Sequence, residues 1–146
     1  MASLRLACIN IERSKHLDLI KAFLDRERPD IVCMQEVLET NLEYLMEVSG
    51  AQQYIFTPMS RMLDMPNESQ FGIAIFSRLP IKSHGECTYL KIGSTIPESH
   101  STNPVFVNNH NRIILWCDVT KDASIFKIAT THFTWTSDGS ASDAQR

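Results

Sequence analysis

The chain has 146 residues, enough for one domain with a real core, and at 43% hydrophobic and 21% charged residues its composition is that of a globular protein. A net charge of −3 excludes the basic footprint of a protein that holds nucleic acid by charge alone, though not a nuclease that meets phosphate through a metal ion. No apolar run approaches a membrane span, and MASLRLACIN has no long apolar core of a signal peptide.

Leu4 to Ile11 is predicted as a first strand. Ser14 offers an N-cap for a helix whose apolar face is Leu17, Ile20, Phe23 and Leu24, and Pro29 stops it. Ile31 to Gln35 is the second strand. Two apolar strands joined by one amphipathic helix predict a crossover within one sheet. Thr40 to Glu43 matches a capping box for a second helix through Leu42, Leu45 and Met46, with Gly50 at its end. Gln53 to Thr57 is a short strand, and Ser60 to Gln70 a loop. Phe71 to Ser77 is a nearly continuous apolar strand, expected to be covered on both faces. Leu79-Pro80 turns the chain into Ile81 to Leu90, which looks like its partner.

Gly93 to Asn111 is a long polar loop carrying His100 and His110. Arg112 to Val119 and Ile125 to Phe133 are two strands joined by a link short enough for a hairpin. Ser142 to Gln145 repeats a capping-box pattern. It predicts a third helix interrupted after one turn, as in a chain cut there. Cys8, Cys33, Cys87 and Cys117 show no metal-binding spacing and are expected to be free thiols, mostly buried, in a reducing cytoplasm.

Asn10, Glu36 and His132 all fall at or just beyond the expected C-terminal ends of strands, the edge where ligands bind in sheets with crossover helices. Asn10 offers a neutral oxygen and Glu36 a carboxylate. Such a small set of hard oxygen ligands suits Mg²⁺, which keeps its waters and expects phosphate to complete its shell. Each residue also has a plainer reading: a turn-forming Asn, a solvated strand end, a satisfied half-buried histidine.

LACINIE (6–12), PDIVCMQEV (29–37), FGIAIFSRLPI (71–81), NRIILWCDV (111–119) and FKIATTHFTW (126–135), in that order, resemble the endonuclease/exonuclease/phosphatase family of metal-dependent phosphoesterases that includes deoxyribonuclease I. The resemblance implies an α/β fold: the N-terminal half of a four-layer α/β sandwich, two packed mixed β-sheets flanked by helices, with the C-terminal half absent. Residues 1–146 would be one such domain, truncated at its C-terminus. It implies that Glu36 and Asn10 are metal and catalytic residues, with Mg²⁺, or Mn²⁺ in its place. It implies that His132 contacts the scissile phosphate and serves as an acid toward the leaving oxygen, and that Asn10 also touches substrate. Arg112 is a candidate phosphate contact, because a guanidinium suits bidentate oxygen recognition; an ordinary exposed arginine at a strand start is the alternative. Arg78 and Thr131 are assigned structural roles, and Phe133 and Trp135 packing.

The family's later G-D-x-N motif and its closing Ser-Asp-His motif, which supplies the general base, are both missing; Ser137-Asp138-Gly139 is only a turn. The expected function is therefore hydrolysis of a phosphodiester or phosphomonoester, with nucleic acid among the candidate substrates, in a fuller form of the protein. The fragment itself is expected to be inactive and to need the missing half of the fold as its partner. A catalytically dead copy serving as a docking module is the rival. A second rival, an unrelated domain binding a transition metal through His100 and His110, lacks ligand spacing.

Overall fold

The computed structural model describes residues 2–65, 69–100, 102 and 109–133. The chain begins with strand β1 (Leu6–Asn10), helix α1 (Leu17–Glu27) and strand β2 (Ile31–Leu38). β1 and β2 are parallel neighbours, so the predicted crossover is present. α1 ends in a left-handed Arg28, φ 44°, one residue before Pro29. Neither predicted side-chain cap forms. His16 occupies the N-cap position of α1, and Ser14 instead accepts a hydrogen bond from Asn41 Nδ2 at 2.8 Å. Asn41 is thereby spent tying the start of α2 (Leu42–Ser49) to the loop before α1, and no side chain caps α2 either.

β3 (Gln53–Met62) and β4 (Gln70–Ser77) follow, then β5 (Ile81–Leu90), the two-residue β6 (Glu98–Ser99), and the hairpin β7 (Arg112–Lys121) and β8 (Ser124–Thr131). The first sheet has the order β1-β2-β4-β3-β6 and is mixed; the second has the order β5-β7-β8 and is antiparallel throughout. Two expectations are corrected here. β5 does not pair with β4 but crosses to the second sheet and pairs with β7. β3 runs five residues past Thr57, into the segment expected to be loop, because a bulge between Pro58 and Ser60 lets it keep its register with β4. β4 is buried on both faces as predicted; it lies at the centre of its sheet, antiparallel to both neighbours. The β7–β8 turn at Asp122 and Ala123 has φ of 49° and 60°, the doubly left-handed form that matches hairpin twist. The segments holding Trp135, Ser137 to Gly139 and the Ser142 to Gln145 pattern lie outside the described residues.

The core sits in two layers, and strand alternation sorts them. Val32, Met34, Ala74 and Phe76 face the helices, meeting Ile20, Leu24 and Leu45. Ile31, Cys33, Ile73 and Ile75 face the second sheet, meeting Ile113, Leu115, Cys117 and Val119. One helix layer and two sheets make this part of a four-layer α/β sandwich. Cys33 and Cys117 are buried between the sheets, where burial raises their thiols to about 12 and about 11. Cys8 and Cys87 are exposed, against expectation, because both lie on uncovered strand faces. Among the described residues β1 and β8 are edge strands, with Leu6 and Ile125 largely exposed on them.

Arg78 takes the structural role expected of it. Its Nε and Nη2 both donate to the Ser49 carbonyl, at 3.0 and 2.8 Å, closing the end of α2 beside Gly50, whose φ is 64°. Arg78→Ala would strand that carbonyl and cost about 2 kcal/mol, read as a lower urea midpoint with an unchanged slope.

Candidate active site

The alternation of β2 breaks at one residue, and that break builds the site. Ile31, Cys33 and Gln35 face the second sheet. Val37, which by simple alternation should join them, packs instead among the helices. The extra residue is Glu36. It sits in a bulge between Gln35, paired with Ile73, and Val37, paired with Gly72, and it is left-handed at φ 60°. Its carbonyl is held by the backbone N–H of Arg13 at 3.1 Å. The bulge re-aims the Glu36 side chain out of the sheet into a cleft of about 630 Å³. A left-handed Glu costs about 1–2 kcal/mol relative to ordinary backbone, so the fold spends stability to place this carboxylate.

Asn10 ends β1 next to it. Its Nδ2 donates to Glu36 Oε1 at 2.9 Å, while its Oδ1 accepts from the backbone N–H of Glu12 at 3.0 Å. Asn10 therefore braces the carboxylate rather than aiming its oxygen alongside it. Among the described residues Glu36 Oε2 makes no hydrogen bond, which makes it the oxygen left for a cation.

His132 follows β8 and reaches the same point from the second sheet, its Nε2 3.5 Å from Glu36 Oε1. One buried bond joins the sheets here, from Gln35 on β2 to Thr130 on β8, and two others brace its surroundings within each sheet. Gln35 Nε2 donates to Thr130 Oγ1 at 2.8 Å and to Cys8 Sγ at 3.2 Å. Arg112 Nη1 donates to the carbonyls of His132 and Phe133 at 3.2 and 3.3 Å. Arg112 is 2% exposed, so the exposed strand-start alternative is set aside; it lines the cleft and fixes the backbone that carries His132. Thr131 donates to the Ile113 carbonyl, a structural bond as expected. Phe133 is 64% exposed at the cleft and is no packing residue. The far wall carries Met62, Ser99, His100 and His110, and Phe71 contacts His110 and His132 with ring centroids 5.0 and 6.5 Å away. Gln35 and Phe71 escaped the sequence reading as site residues, and His100 entered it only as a ligand in the transition-metal rival; the Gln directly before Glu36 was the one visible signal.

Burial pushes His132 below the ordinary imidazole value; the Glu36 carboxylate pulls the other way, and Arg112 adds a further push down. His132 Nδ1 is buried with no hydrogen-bond partner among the described residues, so a proton placed there would gain no acceptor. As pH falls below 6.5 the unfolded chain takes up this proton before the folded one does. The stability this group contributes is thus fully present above 6.5 and is lost as pH falls toward the folded value. Without divalent cation, the loss of stability between about pH 7.5 and about pH 5.5 should be larger in the parent than in His132→Gln; an equal loss would show that His132 is not held neutral.

Among the described residues no three His, Cys, Asp or Glu side chains are grouped to hold a metal. The donor set at Glu36 instead fits an ion that needs few protein ligands. One carboxylate oxygen is braced and the other is uncommitted, which is the pattern Mg²⁺ accepts when phosphate supplies the remaining oxygens.

A model of the Endonuclease/Exonuclease/phosphatase family matches residues 8–140. The chain belongs to that family. A family protein from Leptotrichia buccalis C-1013-b superposes with a TM-score of 0.65 at 13% identity, covering 90% of this chain and 54% of that one. A humanized D. rerio TDP2 gives 0.59 at 17% identity, with 92% and 49% covered. The Bacteroides thetaiotaomicron mannosyl-6-phosphatase Bt3783 gives 0.59 at 16%, with 90% and 52% covered. The chain thus spans about half the length of these structures, and they share its fold. No curated protein matches it.

Proposed function

We propose that this chain supplies the metal-binding and phosphate-contacting half of a Mg²⁺-dependent phosphoester hydrolase, with residues 1–146 belonging to one family domain. The observation that carries the reading is the convergence of Asn10 and His132 on one oxygen of Glu36, from two strands of one sheet and the end of a strand in the other. Mg²⁺ on Glu36, or Mn²⁺ in its place, would offset charge on phosphate oxygens. Asn10 orients the carboxylate and meets the substrate beside it. His132, neutral and turned toward the same point, donates from Nε2 to a phosphate or leaving-group oxygen. Arg112 adds positive charge to the wall and keeps His132 in place. The substrate is a phosphodiester or phosphomonoester. The structural neighbours include a TDP2 complexed with single strand DNA product and a mannosyl-6-phosphatase, which supports that breadth and puts nucleic acid among the candidates. Free thiols at all four cysteines suit a reducing compartment such as the cytoplasm. Among the described residues no helix is long and apolar enough to cross a membrane.

The sequence has no G-D-x-N or Ser-Asp-His motif to activate water. The 146-residue chain alone is therefore expected to bind Mg²⁺ and phosphate but to hydrolyse neither a phosphomonoester nor a phosphodiester, pending the other half of the fold as its partner. Calorimetric Mg²⁺ titration alongside an assay of a chromogenic phosphodiester tests both statements. Robust hydrolysis by the purified chain would overturn the second, and absence of Mg²⁺ binding the first. A docking module that has lost its chemistry would bind its partner with Glu36 replaced and no Mg²⁺ added.

A further inference from the structure

We propose that Gln35 is a positioning residue of the site: its buried amide ties together the strands that carry Asn10, Glu36 and His132, and so holds His132 in reach of the bound phosphate. The inference rests on the phosphoesterase reading and adds a residue to its machinery. Gln35 directly precedes Glu36 in β2 and is buried. Its Nε2 has two protons, and each meets a partner on a different strand. Thr130 Oγ1 on β8 accepts at 2.8 Å, and Cys8 Sγ on β1 at 3.2 Å. Thr130 lies two residues before His132, and Cys8 two residues before Asn10. An amide turned end for end would accept from the same hydroxyl and the same thiol, because both can donate. The strands are therefore joined in either orientation.

The other ties in the site act within one sheet. Asn10 braces Glu36 inside the first sheet. Arg112, on β7, holds the His132 carbonyl inside the second. Neither fixes one sheet against the other. Glu36 and His132 do not do it themselves, because 3.5 Å is too long for a committed hydrogen bond. Phe71 meets the His132 ring from the first sheet with centroids 6.5 Å apart, a contact that limits approach but not slide.

The apolar layer between the sheets does not do it either. Along β2 and β8 that layer reaches Cys33 and Ile128 and turns polar at the next inward pair, Gln35 and Thr130. Apolar burial is non-directional, so it presses the sheets together without fixing how the end of one strand lies over the other. A buried hydrogen bond has direction and length. Among the described residues Gln35 to Thr130 is the hydrogen bond that joins β2 to β8, and it sits beside the cleft. It leaves Nε2 of His132 close to Glu36 yet uncommitted, ready for a ligand oxygen.

Gln35→Met keeps the length of the side chain and removes both bonds. Thr130→Val keeps the shape of the partner without its hydroxyl, and Thr130→Ser keeps the hydroxyl. Calorimetry on the 146-residue chain with inorganic phosphate and saturating Mg²⁺ tests the proposal, with a urea midpoint for each variant. Gln35→Met and Thr130→Val should each bind phosphate about tenfold more weakly, the worth of one hydrogen bond from His132. Thr130→Ser should bind as the parent does, and adding Thr130→Val to Gln35→Met should cost nothing further. Mg²⁺ affinity without phosphate should stay parental in Thr130→Val, because Asn10 and the bulge still hold Glu36. A second measurement follows the His132 ring directly. Bound Mn²⁺ broadens proton resonances with the inverse sixth power of distance. The His132 ring resonance, identified by its absence in His132→Gln, should broaden less in Gln35→Met and Thr130→Val than in the parent. Thr130→Val carries the test alone if Gln35→Met does not fold. Parental phosphate affinity and broadening in these variants, or a loss that Thr130→Ser shares, overturns the proposal while the phosphoesterase reading stands. A parent that binds no phosphate with Mg²⁺ present overturns that reading, and the role of Gln35 with it.

Discussion

Glu36→Gln is expected to lower Mg²⁺ affinity by at least about 100-fold, because it removes the one uncommitted carboxylate oxygen at the end of β2 and leaves nothing of equal charge nearby. Asn10→Ala should cost less, about 10–100-fold, since Asn10 acts on the ion through the orientation of Glu36. The order of the two effects separates a ligand from its brace. Equal losses would instead make Asn10 a ligand in its own right. Calorimetric Mg²⁺ titration of both variants reads the result. Glu36→Gly divides the site's function from its structural cost. Gly accepts φ 60° without the strain Glu bears, while losing more chain entropy on folding, so its stability should stay within about 1 kcal/mol of the parent although no Mg²⁺ binds. A drop of several kcal/mol would mean that the bonds of the carboxylate to Asn10 and His132 help hold the two sheets together.

What the sequence revealed and concealed at this site follows from the physics of each element. The apolar run Ile31 to Met34 and the helix between two strands announce a parallel pair, because burial on two faces and a crossover leave a composition signal. The bulge does not. A left-handed Glu carries no local mark, and the phase shift that turns Val37 toward the helices is visible only once the partner strand is known. β3 looked short because Pro58 and Ser60 are poor strand residues; tertiary pairing with β4 overrode them. The choice of β7 rather than β4 as the partner of β5 lies in long-range packing, which no local window holds. Ser14 and Thr40 had the right chemistry for caps, but Asn41 took Ser14 as its partner, and a side chain forms that bond once. His132 was legible through its motif. The placement of His100 at the cleft was not, because the two-residue strand before it is below the length at which alternation can be read.

The residue that faces the bulge from β4 is one whose surroundings leave no room for a side chain. Gly72 opens the centre of β4 and pairs with Val37 on one side and Pro58 on the other, next to the bulged residue of each neighbour. Two bulges on either side of one residue draw the neighbouring backbone in. A Cβ on Gly72 would overlap the Thr57 carbonyl oxygen and would lie 2.9 Å from its carbon and 3.0 Å from the Phe56 ring. The atoms met first are backbone in a paired strand, so no side-chain rotation relieves them. Gly72→Ala is expected to cost about 3 kcal/mol by overpacking. It should also displace β3 and, through β2, the bulge that aims Glu36. Urea denaturation would show the first effect. Mg²⁺ titration under conditions where the variant is still folded would show the second, as affinity lost without any change to Glu36, Asn10 or His132. A variant that keeps parental stability and Mg²⁺ affinity would mean that β3 yields at Thr57 without cost and that the geometry of the bulge does not depend on a bare backbone beside it.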